Sequence, residues 1–499
     1  MTDPDADRTR TLAALLGRDP EDLEARGASA DYDALPAADA DEPTPTDVRF
    51  DPGVPDDAFD AFVSTFDFST TDDGPLAGWD LAVKDNLAVA GVPLTAGSRV
   101  LADATPARHA PAVSRLLDAG ARLVGKTNMD ELAYGPTGET SAFGPTRNPQ
   151  DTAHVAGGSS AGSGAAVAAG IADAALGTDT GGSVRIPAAF CGVVGYKPSF
   201  GTVPRTGVVP LAPSLDHVGV LANSVADAAH VADVVAGPDG RDSATVGREP
   251  PSLAAAATDA RAIEDCSFGL AEEFLGEHVD PAVRGRVERA VDALEAAGAR
   301  VEHVSVPRFD LTAPVWDAIT NVELAAALFA GLAPLDGVGV DGAWHADAAE
   351  ALRAVADGTA DHAFADRLVE NALDGAALLD EGGASVYTRA LAECERFADG
   401  YADALGDHDA LLAPTMPVTA PAVGEWPLSA DDRDDRDDSD AERPPLSVNV
   451  RQANLLGAPA LSLPCGRVGG LPVGLQLLGT PGADTRLVAA AAAVEAELR

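Results

Sequence analysis

Lysine is almost missing from this 499-residue chain: Lys84, Lys126 and Lys197 are the only three, and the other 31 of its 34 basic residues are arginines. Positive charge of either kind is short, because 79 acidic residues oppose it and the formal net charge is −45. Over a folded surface of roughly 17,000 Å², that is one excess negative charge per roughly 380 Å². Such a field repels nucleic-acid phosphates and anionic lipid heads, which argues against extended direct contact with either. Cysteine is scarce as well. Cys191, Cys266, Cys394 and Cys465 are too few and too scattered for a disulfide framework, and no Cys-x-x-Cys or metal-type Cys/His spacing occurs. They read as small buried apolar residues. No run of 18 uninterrupted apolar residues is present, and the acidic start lacks the basic-then-apolar pattern of a secretory leader. A cytoplasmic protein without a membrane span is expected.

What is present is a globular composition, 46% hydrophobic and 23% charged, which neither collagen nor broad disorder would show. Acidic excess with arginine in place of lysine resembles the proteins of salt-accumulating archaea, where concentrated salt screens the self-repulsion.

Along the chain, residues 1 to about 75 are acidic and loop-rich, with helical patterns over 9–16 and 56–66, and predict an N-terminal helical cap. From 76 to 240, short apolar runs punctuated by glycine are followed by alanine-rich segments, the pattern of buried strands and packed helices in an α/β layer. The spacing predicts a helix over 113–119 and a strand over 121–125, and again a helix over 283–297 and a strand over 299–306, each pair joined at a glycine. Residues 311 to 405 predict a helical layer. Strand patterns return at 410–414 and 471–478, so one domain with a helical insertion, its sheet completed over 444–499, is expected rather than three beads. The run of aspartates over 430–443 lacks the turn glycine and terminal glutamate of a calcium loop and reads as a solvated acidic loop.

The densest chemical cluster is Gly157-Gly158-Ser159-Ser160-Ala161-Gly162-Ser163-Gly164, running into an alanine-rich helix predicted from Ala165. It lacks the Gly-Lys-Ser/Thr ending of a phosphate loop and the third glycine of a dinucleotide fingerprint. It fits the Gly-x-Ser-x-Gly nucleophile elbow formally, but no His-Gly-Gly oxyanion segment precedes it. A second cluster, Gly177-Thr178-Asp179-Thr180-Gly181-Gly182-Ser183-Val184-Arg185, can lay consecutive N–H groups into one small concavity, as an oxyanion requires. Lys84 ends a predicted strand at 79–84. A chain that elsewhere chooses arginine keeps lysine where a proton must be lost, since burial can neutralise an ammonium but not a guanidinium. Composition alone does not rank Lys84 above Lys126 or Lys197.

Together, Lys84-Asp85-Asn86, Gly125-Lys126-Thr127-Asn128-Met129-Asp130-Glu131, Gly157-Gly158-Ser159-Ser160 and the Gly177–Arg185 segment resemble the amidase signature family. The intervals, 75 residues from Lys84 to Ser159 and 24 from Ser159 to Ser183, fit as well. The resemblance is strong from 76 to 235 and returns at 410–417 and 454–478. It implies a large single-domain α/β/α sandwich with a central mixed sheet over 76–499. It further implies a catalytic set of Lys84, Ser159 and Ser183, an oxyanion site from Thr180, Gly181, Gly182 and Ser183, and supporting roles for Ser160, Asp179 and Arg185. Ser183 would attack an amide carbonyl, with Ser159, on a cis peptide, passing its proton to a neutral Lys84; no metal or cofactor is implied.

Two activities then compete. One is a stand-alone amidase that hydrolyses a small carboxylic amide to the acid and ammonia or an amine, alone or as a homodimer. The alternative is the A-type subunit of a tRNA-dependent amidotransferase, releasing ammonia from glutamine for a B-type partner subunit. Ile186, where that subunit usually has glutamine, and Ser447, about where an acid would grip the glutamine amino group, favour the first.

Overall fold

In the computed structural model, the described residues are 42–50, 58–259, 261–330, 362, 364–426 and 445–499. Among them the strands are β1 (Arg49–Phe50), β2 (Phe62–Phe68), β3 (Asp80–Lys84), β4 (Arg122–Thr127), β5 (Arg147–Asn148), β6 (Asp151–Val155) and β7 (Ala174–Asp179). They continue with β8 (Val194–Lys197), β9 (His217–Ala222), β10 (Ser267–Ala271), β11 (Arg300–Val304), β12 (Ala410–Pro414), β13 (Ala460–Val468) and β14 (Leu471–Leu478). Twelve form one sheet in the order β1-β2-β4-β3-β7-β9-β8-β13-β14-β12-β10-β11, while β5 and β6 pair apart. The sheet is mixed: β4, β3 and β7 run parallel, as do β12, β10 and β11, and antiparallel pairs join them. Strand β14, LPVGLQLL, is buried at all eight positions, as a central strand covered on both faces must be.

Helix Pro111–Asp118 precedes β4 and helix Pro281–Ala296 precedes β11, each within two residues of the predicted bounds. Over the insertion the structure places helices Thr312–Ala330, Asp366–Gly382 and Ala384–Leu405. No helix among the described residues is long and apolar enough to cross a membrane. The helix predicted over 9–16, most of the insertion between 331 and 363, and the acidic loop over 430–443 lie outside the described residues.

Two expectations need correction. The segment predicted as helical over 56–66 contains β2, which pairs with β4 at the sheet edge, so residues 49–50 and 62–68 belong to the sheet rather than to a helical cap. Phe59, Phe62 and Phe66 have helical spacing, but Phe66 and Phe68 alternate with exposed Asp67, and that period of two is the one the fold uses. The helix expected from Ala165 starts at Ala161. Its two early glycines serve close packing: a Cβ on Gly162 would stand 2.1 Å from the Ala61 carbonyl oxygen, and one on Gly164 would stand 2.9 Å from Pro187.

Candidate active site

Parallel neighbours β3 and β7 set the centre. In their register Val83 lies opposite Leu176, so Lys84 at the end of β3 faces the last residues of β7. Lys84 Nζ donates to Thr178 Oγ1 (2.8 Å) and to Ser159 Oγ (2.8 Å). Asn86 donates its amide to the same Thr178 hydroxyl at 3.1 Å. Lys84 is fully buried, and burial pushes its ammonium down to about 7, although Asp130, Asp179 and Asp216 act in the opposite direction.

Ser159 follows a cis peptide bond with Gly158. The segment is clamped by the Asp130 motif. Asp130 accepts from the Gly138 and Thr140 backbone N–H groups at 2.9 and 3.0 Å, its own N–H donates to the Ser159 carbonyl (3.2 Å), and a Cβ on Gly158 would meet its carboxylate at 1.8 Å. The next residue, Ser160, reaches both neighbours: its N–H donates to the Ser183 carbonyl (3.1 Å), and its hydroxyl donates to the Thr178 carbonyl (3.1 Å).

Helix Arg185–Cys191 begins just after Ser183, and Asp179 organises the turn between them. Its carboxylate accepts from Gly182 N–H (2.9 Å), Val184 N–H (3.1 Å) and two guanidinium nitrogens of the fully buried Arg185, at 3.0 and 2.8 Å. Despite burial, Arg185 holds that carboxyl well below the usual range. Arg185 in turn donates to Gln476 of β14 and to Asn454, and Asn454 donates back to Asp179, which ties the turn to the C-terminal strands. The Gly182 N–H already has Asp179 as acceptor, unlike the free oxyanion donor expected of it. Trp316, on the Thr312–Ala330 helix, donates its indole N–H to the Thr180 carbonyl (2.8 Å), and the Thr180 hydroxyl donates to Asp216 (2.5 Å).

The other two lysines are also fully buried. Lys126 pairs with Asp85 at 3.0 Å, beside Lys84 in sequence; Lys197 donates to the Pro198 carbonyl at 2.9 Å, and burial pushes it down to about 7.

Ser183 opens into a cavity of about 500 Å³ lined also by Tyr134, Gly181, Ile186, Trp316 and Trp426, with Arg367, Ser447 and Arg451 on its walls. The structure thus gathers Lys84, Ser159, Ser160, Thr180 to Ser183, Asp179 and Arg185 in one place. Sequence reasoning missed Thr178, Asp216, Trp316 and Asn454 as partners. Thr178 lies inside the Gly177–Arg185 segment and Asn454 opens the 454–478 segment of the resemblance, but nothing in the sequence pairs Trp316 or Asn454 with a turn 136 and 275 residues away.

The amidase family model matches residues 62–488. The chain belongs to the amidase family. It is 42% identical over 424 residues to the A-type subunit of glutamyl-tRNA(Gln) amidotransferase from Symbiobacterium thermophilum, covering 84% of this chain and 82% of that one. With the same subunit of Halobacterium salinarum it shares 41% over 443 residues, 88% of this chain and all of that one. Among solved structures, the corresponding subunit of Thermotoga maritima superposes with a TM-score of 0.70 at 33% identity, over 88% and 87% of the two chains. The peptide amidase of Stenotrophomonas maltophilia gives 0.67 at 34% identity, over 85% and 84%. The α/β fold with a large mixed sheet is the one these amidases share.

Proposed function

We propose that this amidase family chain hydrolyses a carboxamide through an acyl-enzyme on Ser183, with Ser159 and Lys84 as its proton relay. The observation that carries the reading is a fully buried lysine, brought down to about 7, within 2.8 Å of the Ser159 hydroxyl. At neutral pH a useful fraction of Lys84 is a free amine, which accepts the Ser159 hydroxyl proton. Ser159 then takes the proton of Ser183 as Ser183 Oγ attacks the carbonyl carbon. The new oxyanion is met by the N–H groups of Thr180, Gly181 and Ser183, while Gly182 N–H holds Asp179 and so fixes the turn. Collapse breaks the C–N bond, and the proton returns from Lys84 through Ser159 to the leaving nitrogen. Water then attacks the ester carbonyl as the same relay takes its proton; the C–O bond to Ser183 breaks, the relay returns that proton to Ser183 Oγ, and the acid leaves.

Two donors fit this core. Similarity to the A-type amidotransferase chains supports glutamine, with ammonia passed to a B-type partner, and among the two readings it is the one the comparisons favour. The cavity wall favours a stand-alone amidase, because Ile186 and Ser447 stand there in place of the amide and acid expected of a glutamine site. The likeness to a peptide amidase supports the same reading.

Assay of purified protein at high salt on glutamine and on simple amides, with ammonia as readout, tests the core: Ser183→Ala and Lys84→Ala each abolish release while remaining folded. An active Lys84→Ala variant would falsify the relay. Co-purification of a B-type subunit, with glutaminase activity dependent on it, decides for the amidotransferase; hydrolysis of other amides by the chain alone decides for the amidase.

A further inference from the structure

We propose that Arg451 is a specificity residue that receives a carboxylate on the acyl part of the substrate, so that the preferred amides are monoamides of short dicarboxylic acids; this rests on amide hydrolysis at Ser183 as proposed above. Arg451 is only 9% exposed, yet it lines the cavity into which Ser183 opens. Its guanidinium is fixed from three directions. It stacks on the Trp316 ring with 4.3 Å to the centroid, its Nε donates to Ser447 Oγ (2.8 Å), and Nη1 donates to Asp317 (3.0 Å).

A guanidinium has five N–H donors. Two are used in these bonds, and the other three have no acceptor among the described residues. None of those three is a buried orphan, so they stay open to solvent in the cavity, and a carboxylate is the anion whose two oxygens match that planar fork. Asp317 offsets the charge in part only, since its side chain is 49% exposed and its field is screened by solvent. The serine at 447, unexpected in a glutamine site, has a use here: it aims the guanidinium.

Reach follows from Trp316, which touches both the oxyanion turn and Arg451. The N–H edge of the ring bonds Thr180, while its face carries Arg451. Val450, next to Arg451 in sequence, abuts the same turn, because a Cβ on Gly182 would meet its side chain at 2.3 Å. A carboxylate on Arg451 and a carbonyl at Ser183 are therefore ends of one short substrate.

The test is the ratio of kcat/KM for glutaramate to that for the uncharged pentanamide, with succinamate and adipamate to fix the length. The ratio cancels any loss of folded enzyme. Wild type prefers the carboxylate compound by about tenfold or more, Arg451→Met brings the ratio to about one, and Arg451→Lys, without the fork, lies between. A wild-type ratio near one, or a ratio that survives Arg451→Met, overturns the proposal. If no amide is turned over, the reading at Ser183 fails, and calorimetry with glutarate still decides this one. Binding to the Ser183→Ala protein that Arg451→Met removes supports the receptor; no binding, or binding unchanged by Arg451→Met, overturns it.

Discussion

The indole N–H of Trp316 donates a 2.8 Å hydrogen bond to the carbonyl oxygen of Thr180, 136 residues earlier in the chain. It makes a helix of the insertion part of the support of the turn over 180–183, the proposed oxyanion site, and Gly181 admits it: a Cβ there would lie 2.7 Å from the indole ring. Trp316→Phe keeps the ring and removes the donor. About one net hydrogen bond is lost, so kcat falls by about tenfold, with a smaller change in KM, in steady-state assays of amide hydrolysis. An unchanged kcat would show that the bond serves only folding.

The pH profile of kcat/KM is expected to rise with pH to a plateau, with an apparent pKa of about 7, because the proposed relay needs Lys84 as the free amine. Other buried groups change charge in the same window. Burial carries Glu323 up to about 7 where it accepts from Ser214 and Tyr387, and carries Lys197 down to about 7. A rising limb kept by Glu323→Gln, by Lys197→Met and by Asp216→Asn, whose carboxyl burial carries up to about 6 beside Thr180, belongs to Lys84. Loss of the limb in Glu323→Gln would assign it to that carboxyl instead.

Two helical glycines predict opposite outcomes for the same substitution. Gly162→Ala forces a Cβ to within 2.5 Å of the Asn128 backbone nitrogen and still closer to Ala61, so backbone must move. A loss of about 1–3 kcal/mol or more is expected. Gly285, inside Pro281–Ala296, would meet only the end of Arg289 at 3.6 Å, and Gly285→Ala gains about 0.5–1 kcal/mol from helix propensity. Thermal melting of both variants reads the two signs directly.

A surface with 45 excess negative charges repels itself, and the Debye length shortens from about 10 Å at 0.1 M salt to about 3 Å at 1 M. The melting temperature should rise steadily between those concentrations of KCl. A flat response would break the link between this composition and a salty working medium.

How far the sequence reached depended on distance along the chain. Lys84, Ser159 and Ser183 stand in short motifs whose glycines and polar residues mark them locally, and β12 and β14 were legible because a fully buried strand is a plain apolar run. The edge strand β2 was not, since its phenylalanines satisfy two periods at once and only pairing with β4 chooses between them. Nothing local pairs Asn454 or Trp316 with the Asp179 turn; their contacts exist only because the insertion and the C-terminal segment fold back over it.

All three lysines have 0% exposure, so the folded chain offers no side-chain amine to solvent from any of them. Reagents that acylate amines will therefore find residues 84, 126 and 197 only when the sheet opens, and proteases that cut after lysine will find 84 and 126 only then, since Pro198 protects the bond after Lys197. Their labelling rate becomes a built-in clock for unfolding, read on strands β3, β4 and β8.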